Sequence, residues 1–127
     1  MCHQTVSLIA RHLEEHGLAT VIMGCGRDIV EHAGVPRFLY SEFPLGNSAG
    51  KPDDVDSQRE TLNLALALFD DATVPRTTFQ SPQQWANNDT WQYDFMNIDA
   101  LEAEEIASLK ADFARQKLIA NRLKGSE

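Results

Sequence analysis

The sequence predicts a small three-layer α/β domain: a parallel sheet with helices on both faces, Rossmann-like or flavodoxin-like, followed by a long C-terminal helix. Three observations carry this reading. Helix-like and strand-like patterns alternate from Thr5 to Tyr40, the signature of a parallel sheet with crossover helices. A loop marked by Pro44, Gly46, Gly50 and Pro52 directly follows the second strand. Such loops, at the C-terminal ends of parallel strands, build ligand crevices. A long, broadly apolar helical pattern then begins at Asp53.

Thr5 to His16 reads as an amphipathic helix, with Val6, Ile9, Ala10 and Leu13 at helical spacing and Gly17 as its C-cap. Thr20 to Met23 reads as a buried strand, and Gly24-Cys25-Gly26 turns the chain. Arg27 to Ala33 forms a short helix that Gly34 ends and Pro36 blocks, and Phe38 to Tyr40 is the next strand. Two strands make a marginal sheet. A third is expected at Thr77 to Gln80, where β-branched and aromatic residues cluster after Pro75. No strand precedes the first helix, so the unit reads as N-terminally shortened or as borrowing strands from another chain.

Asp53 to Ala72 is the long helix, with Val55, Leu62, Ala65, Leu66 and Phe69 as its core stripe, widened by Leu64 and Leu68. So wide a face implies burial against the sheet and against a second surface. Ser81 before Pro82 fits an N-cap with proline at the first helical position. Trp85, Trp91, Tyr93 and Phe95 read as cover for a core edge, or as a contact surface. Asp99 to Glu102 resembles a capping box opening a last helix that reaches Leu123. That helix docks on the domain or pairs with a second copy. Residues 1–97 are expected to form the α/β domain, and 98–127 its C-terminal helix and tail.

The chain has 127 residues, enough for one domain with a modest core. Its formal net charge of -8 argues against nucleic acid, which needs basic patches. Nothing at the start reads as a signal peptide and no apolar run is long enough to span a bilayer, so a cytoplasmic, membrane-free protein is expected. Two cysteines, Cys2 and Cys25, make no disulfide framework. His12 and His16 stand one helical turn apart, but no third or fourth ligand accompanies them, so they read as surface residues and no metal is expected. No cofactor is indicated.

Gly46 to Lys51 looks like a P-loop but is not one. Three residues, not four, separate its glycines, and Pro52 stands where the hydroxyl residue should be. The glycines still let the backbone approach a small ligand closely.

The cysteines are the residues that can carry chemistry. Cys2 stands just before the first helix, where the helix dipole and free N–H groups stabilise a thiolate, and His3 beside it is a source of positive charge. The alternative is a frayed terminal cysteine. Cys25 lies between two glycines at a strand end, near Arg27 and a helix start, a second thiolate-stabilising place. Its alternative is a small buried apolar residue. With the first helix antiparallel to the strand, both thiols fall at the strand's C-terminal end.

The chain also resembles a known family. The matching residues are Cys2-His3-Gln4-Thr5, Ile9 to Glu14, Gly17 to Val21, Asp28 to Glu31, Gly34 to Arg37, Phe43-Pro44-Leu45-Gly46-Asn47 and Pro75 to Thr78. Together they resemble the glycine/sarcosine/betaine reductase selenoprotein B family, and more closely its short bacterial relatives. The resemblance covers most of the chain, and the Pro44 to Asn47 loop is its most specific part. The family motif places a cysteine at Cys2, usually the second of a CxxC pair; the first has no counterpart after Met1.

The resemblance implies a thiol-dependent oxidoreductase with a disulfide acceptor, cleaving a C–N bond of a small amino-acid-type substrate and passing the carbon fragment to a partner reductase subunit. By analogy Cys2 is the thiol, with Cys25 as a second redox candidate. Gly46, Asn47, Gly50 and Lys51 bind the substrate carboxylate or the partner, and Arg37 assists as a cation. Two other readings stand beside it: a non-catalytic redox-sensing or protein-interaction relative, and a small-ligand-binding domain without thiol chemistry.

Overall fold

The computed structural model describes residues 2–94 and 103–124. In chain order the elements are α1 (Cys2–Glu15), β1 (Ile22–Gly24), α2 (Arg27–Ala33), β2 (Arg37–Tyr40), α3 (Val55–Asp71), β3 (Thr77–Gln80), α4 (Trp91–Asp94) and α5 (Ala103–Lys124). The chain divides into two compact units, Met1–Asn88 and Asp89–Glu127. The first holds the sheet; the second holds α4 and α5. Asp99 and its capping box, like Phe95, fall outside the described residues.

The sheet has three strands in the order β1-β2-β3, all parallel. Ile22 pairs with Phe38 and Arg37 with Thr77. The third strand is therefore present where the β-branched cluster predicts it. Successive residues on the central strand point to opposite faces. Phe38, 1% exposed, joins Ala10, Ile22, Val30 and Val35 on one side. Leu39, fully buried, joins Ala65 and Leu68 on the other, with Val21, Met23 and Leu64 partly buried around them. Helices α1 and α2 thus cover one face and α3 the other, the three-layer α/β architecture.

Two helices are rotated from their expected faces. In α1 the buried residues are His3, Ser7 and Ala10, while Val6 and Ile9 stay exposed. Small side chains let the helix lie close to the sheet, and His3 fits a slot left by glycines. In α3 the buried face is Ser57, Thr61, Ala65 and Leu68, while Val55, Leu62, Leu66 and Phe69 are exposed. The buried hydroxyls are satisfied there. Thr61 Oγ1 donates to the Ser57 carbonyl and accepts from Gln83 Nε2, each at 2.9 Å. Ser57 Oγ donates to Gln83 Oε1 and accepts from the Lys51 amide. Once hydrogen-bonded, hydroxyls bury at little cost.

Ser81 opens no helix. It is 4% exposed, and its Oγ accepts from the Gln83 N–H in a local turn. The 81–85 segment lies back over the sheet unit, with Trp85 against Phe43 at 5.5 Å between ring centroids. That is the core-edge cover expected of an aromatic here.

Candidate thiol site

The site is built at the C-terminal end of β1. Helix α1 begins at Cys2, earlier than its apolar periodicity suggests, so Cys2 and His3 lie in its first turn. The His3 ring packs on Gly24. A Cβ on that glycine would stand 2.9 Å from His3 Cδ2 and 3.2 Å from Phe38 Cε2, so only glycine leaves the slot open. His3 is 8% exposed, and its Nε2 accepts hydrogen bonds from the Cys25 and Gly26 amides at 3.1 and 3.2 Å. On the other side of the ring, Nδ1 lies 3.8 Å from Cys2 Sγ. His3 therefore stands between the Cys2 thiol and the backbone of the Cys25 turn, and both cysteines lie at the C-terminal end of β1. His3 is held there as a hydrogen-bonding ring, with both amides on Nε2.

Cys2 is exposed and Cys25 half-buried; both are free. Cys25 Sγ faces Ser48 Oγ at 3.9 Å. Burial pushes the Cys25 thiol up, against the lowering by Ser48 and by the Phe43 and Asn47 backbone. The thiolate-stabilising surroundings expected at this turn are outweighed by loss of water. Tyr40 is also raised, chiefly by burial and then by the Glu42 charge.

This has a measurable consequence. The unfolded Cys25 thiol ionises near its ordinary value of about 8.5. Above that pH the unfolded chain has released a proton that the folded chain keeps. Stability is then full below about pH 8.5 and falls as pH rises toward the elevated folded value. Urea unfolding across pH 7.5 to about 11 should show this fall, and Cys25→Ala should flatten its first part while leaving the Tyr40 part, which begins at about pH 10. An identical slope in the variant would refute the assignment.

The Pro44 to Pro52 loop follows β2 and comes beside this turn, through Ser48 against Cys25. Gly46, Asn47 and Gly50, with Met23, Gln58 and Leu62, line a cavity of about 320 Å³ between the loop, β1 and α3. That volume suits a small molecule. The start of α3 offers a ligand few free donors. The Asp54 carboxylate accepts from the Ser57 N–H, and the Lys51 N–H is taken by Ser57 Oγ. Lys51 Nζ, in no ion pair among the described residues, is the available cation beside the loop.

Arg37 is not brought to this loop. It opens β2, at the end of the strand opposite the loop, and pairs with Glu14 at 2.9 Å. Its guanidinium also lies over the Phe69 ring. Glu14 in turn accepts from the Thr20 amide and hydroxyl. The arginine ties α1 and α3 to the base of the sheet.

Sequence reading missed Ser48 and the Ser57–Thr61–Gln83 network, because these contacts join residues far apart in the chain. The run Gly24-Cys25-Gly26 was the available signal for the His3 slot: consecutive missing side chains leave space that something must fill. Among the described residues no group of His, Cys, Asp and Glu has metal-binding geometry. No helix of the described residues is long and apolar enough to cross a membrane.

Comparison with known proteins gives one informative similarity. Over 58 residues the chain is 31% identical to D-proline reductase subunit gamma of Acetoanaerobium sticklandii. The match covers 46% of this chain and 24% of that protein, so the chain spans about a quarter of the relative's length. No family model and no solved structure matches. The chain is thus similar, distantly and over part of its length, to a D-proline reductase subunit.

Proposed function

We propose that this chain is a thiol-dependent, oxidoreductase-like protein related to the substrate-binding subunits of amino-acid reductases, with Cys2 as its reacting thiol. The carrying observation is the placement of an exposed Cys2 in the first turn of α1, one imidazole away from the Cys25 turn and its glycine loop. The partial similarity to a proline reductase subunit supports the reaction class. In this reading the substrate is a small amino-acid-type molecule such as proline, glycine, sarcosine or betaine. The Cys2 thiolate attacks the carbon bearing nitrogen and the C–N bond breaks; the nitrogen takes a proton and leaves as the free amine or, in proline, stays on the opened chain. A thiol or selenol of a partner reductase subunit then takes the carbon fragment, and an external dithiol supplies the two electrons through a disulfide. Gly46, Asn47 and Gly50 shape the substrate cavity, and Lys51 meets the carboxylate. Cys25, protected and protonated, is the reserve thiol. Two free thiols fit a reducing cytoplasm.

A second reading has its own support. Val6, Leu8 and Ile9 on α1 and Leu62, Leu66 and Phe69 on α3 are exposed. Exposed apolar residues in such numbers favour a protein-interaction module, including one that pairs through α5.

Substrate protection separates the two. Iodoacetamide modification of Cys2, followed by mass spectrometry with D-proline, sarcosine or betaine present, should slow about tenfold when the ligand is at ten times its Kd. Cys2→Ser should abolish C–N cleavage, read as amine released from sarcosine or betaine or as ring-opened product from D-proline, when partner subunits and dithiol are supplied. Unprotected Cys2 with every ligand would leave the interaction module as the reading to pursue.

A further inference from the structure

His3 is the one buried ring in α1 and makes three polar contacts, yet the chemistry above assigns it no task. Its geometry fixes its protonation pattern. Two backbone N–H groups converge on Nε2, and a backbone amide can only donate. Nε2 must therefore carry a lone pair. In a histidine the hydrogen bond made at one nitrogen sets the state of the other, so the neutral ring bears its proton on Nδ1. That N–H is the group facing Cys2 Sγ.

We infer that His3 is the positioning residue of the thiol site: a neutral imidazole, clamped by the Cys25 and Gly26 amides, that donates its Nδ1–H to the Cys2 sulfur. The inference deepens the thiol reading above and rests on it for its functional meaning. It assigns His3 a role different from that of a general base. A base must accept the thiol proton, and here Nδ1 is already protonated while Nε2 is occupied. His3 instead offers a hydrogen-bond donor to the Cys2 sulfur. The same ring holds the Gly24-Cys25-Gly26 turn, so one side chain sets both the environment of Cys2 and the shelter of Cys25. Phe38 beside Gly24 and Ile29 beside Gly26, both apolar, flank the two glycines that the ring packs against.

Two substitutions separate the two ends of the ring. In His3→Gln the side-chain oxygen reaches the Nε2 position and keeps the amide clamp, but no donor remains where Nδ1–H stood. In His3→Asn the side-chain nitrogen replaces Nδ1–H, and the two amides lose their acceptor. The readout is the pH–rate profile of iodoacetamide modification, followed separately for Cys2 and Cys25.

A donor on a thiolate raises the ionised fraction and lowers the intrinsic nucleophilicity of what is ionised, the second effect being about half the first on a logarithmic scale. His3→Gln should thus modify Cys2 about threefold more slowly near pH 7 and about threefold faster once the thiol is fully ionised. The two profiles should cross, which a purely structural lesion would not produce. His3→Asn should leave the Cys2 profile close to wild type while Cys25 reacts about tenfold faster through the loosened turn.

A Cys2 profile unchanged in His3→Gln, or displaced alike in both variants, would overturn the inference. Nitrogen-15 NMR of the wild-type ring provides a test that needs no variant: Nδ1 protonated and Nε2 bare is expected, and a protonated Nε2 overturns it. Crossing profiles without substrate protection would sink the reductase reading alone, whereas protection without crossing would sink the role of His3 alone.

Discussion

Gly50→Ala lowers the stability of the sheet unit by about 3 kcal/mol or more, the combined scale of a strained backbone and an overpacked contact. Gly50 has φ +110°, which L-residues rarely adopt. A Cβ there would stand 2.7 Å from Gln58 Cα and 2.8 Å from Gln58 N. Those atoms are backbone within α3 and cannot turn aside. The loop must lift instead. Lifting it breaks the Lys51 amide bond to Ser57 Oγ and the Gln58 Nε2 bond to the Lys51 carbonyl, each 3.0 Å. It also opens the cavity that Gly50 lines.

Gly46→Ala is the control. Its φ of +106° imposes the same kind of strain, but nothing lies within 4 Å of the added carbon. It should cost only about 1–2 kcal/mol, the strain alone. Urea unfolding of both variants measures the difference. Equal losses would mean that the approach of the loop to α3 costs nothing, and would remove the cavity from the argument.

Gly24→Ala should cost about 3 kcal/mol, from overpacking together with two amides left without their acceptor. The new methyl group meets the His3 ring at 2.9 Å and Phe38 at 3.2 Å. Phe38 lies in the central strand and is fixed by the core on that face. His3 is therefore the group displaced, and it takes its bonds to Cys25 and Gly26 with it. For a unit of this size the melting temperature should fall by roughly 15 °C. Cys25 should also react faster with iodoacetamide, because the turn that shelters it is no longer held. A variant that melts within about 3 °C of wild type, well under the shift for 1 kcal/mol, would show that the slot is not filled as described.

Much of the fold was legible because its signals are local. Gly34 and Pro36 end α2 where expected, and the Arg27–Ala33 helix and the Thr77–Gln80 strand stand at their expected bounds. Chain punctuation of this kind depends on backbone angles that a residue carries with it. The helix faces were less legible. In α3 the more apolar stripe, with Leu62, Leu66 and Phe69, stays exposed, and a stripe begun by Ser57 and Thr61 goes inside. Periodicity reports how much apolar surface a helix has, not which side a neighbour covers. Gln83, more than twenty residues away, decides that by satisfying both hydroxyls.

The candidate site divides along the same line. The loop, its glycines and the two cysteines are visible in the chain as residue types. The family resemblance alone groups Arg37 with them, and the strand direction carries it to the far end of β2. His3 was visible only as the neighbour of Cys2. Its partnership with Gly24, Cys25 and Gly26 spans more than twenty residues, and no local rule brings them together.

The sequence by itself determined the α/β alternation, the turns, one thiol before the first helix and another between two glycines, because backbone preference and hydrophobic spacing act over a few residues. Only the tertiary structure decided which helix faces are buried, which end of the sheet receives each charge, and that one imidazole stands between the Cys2 thiol and the Cys25 turn. Those outcomes depend on hydrogen bonds and close contacts between segments distant in the chain, whose energies exist only once the segments have met.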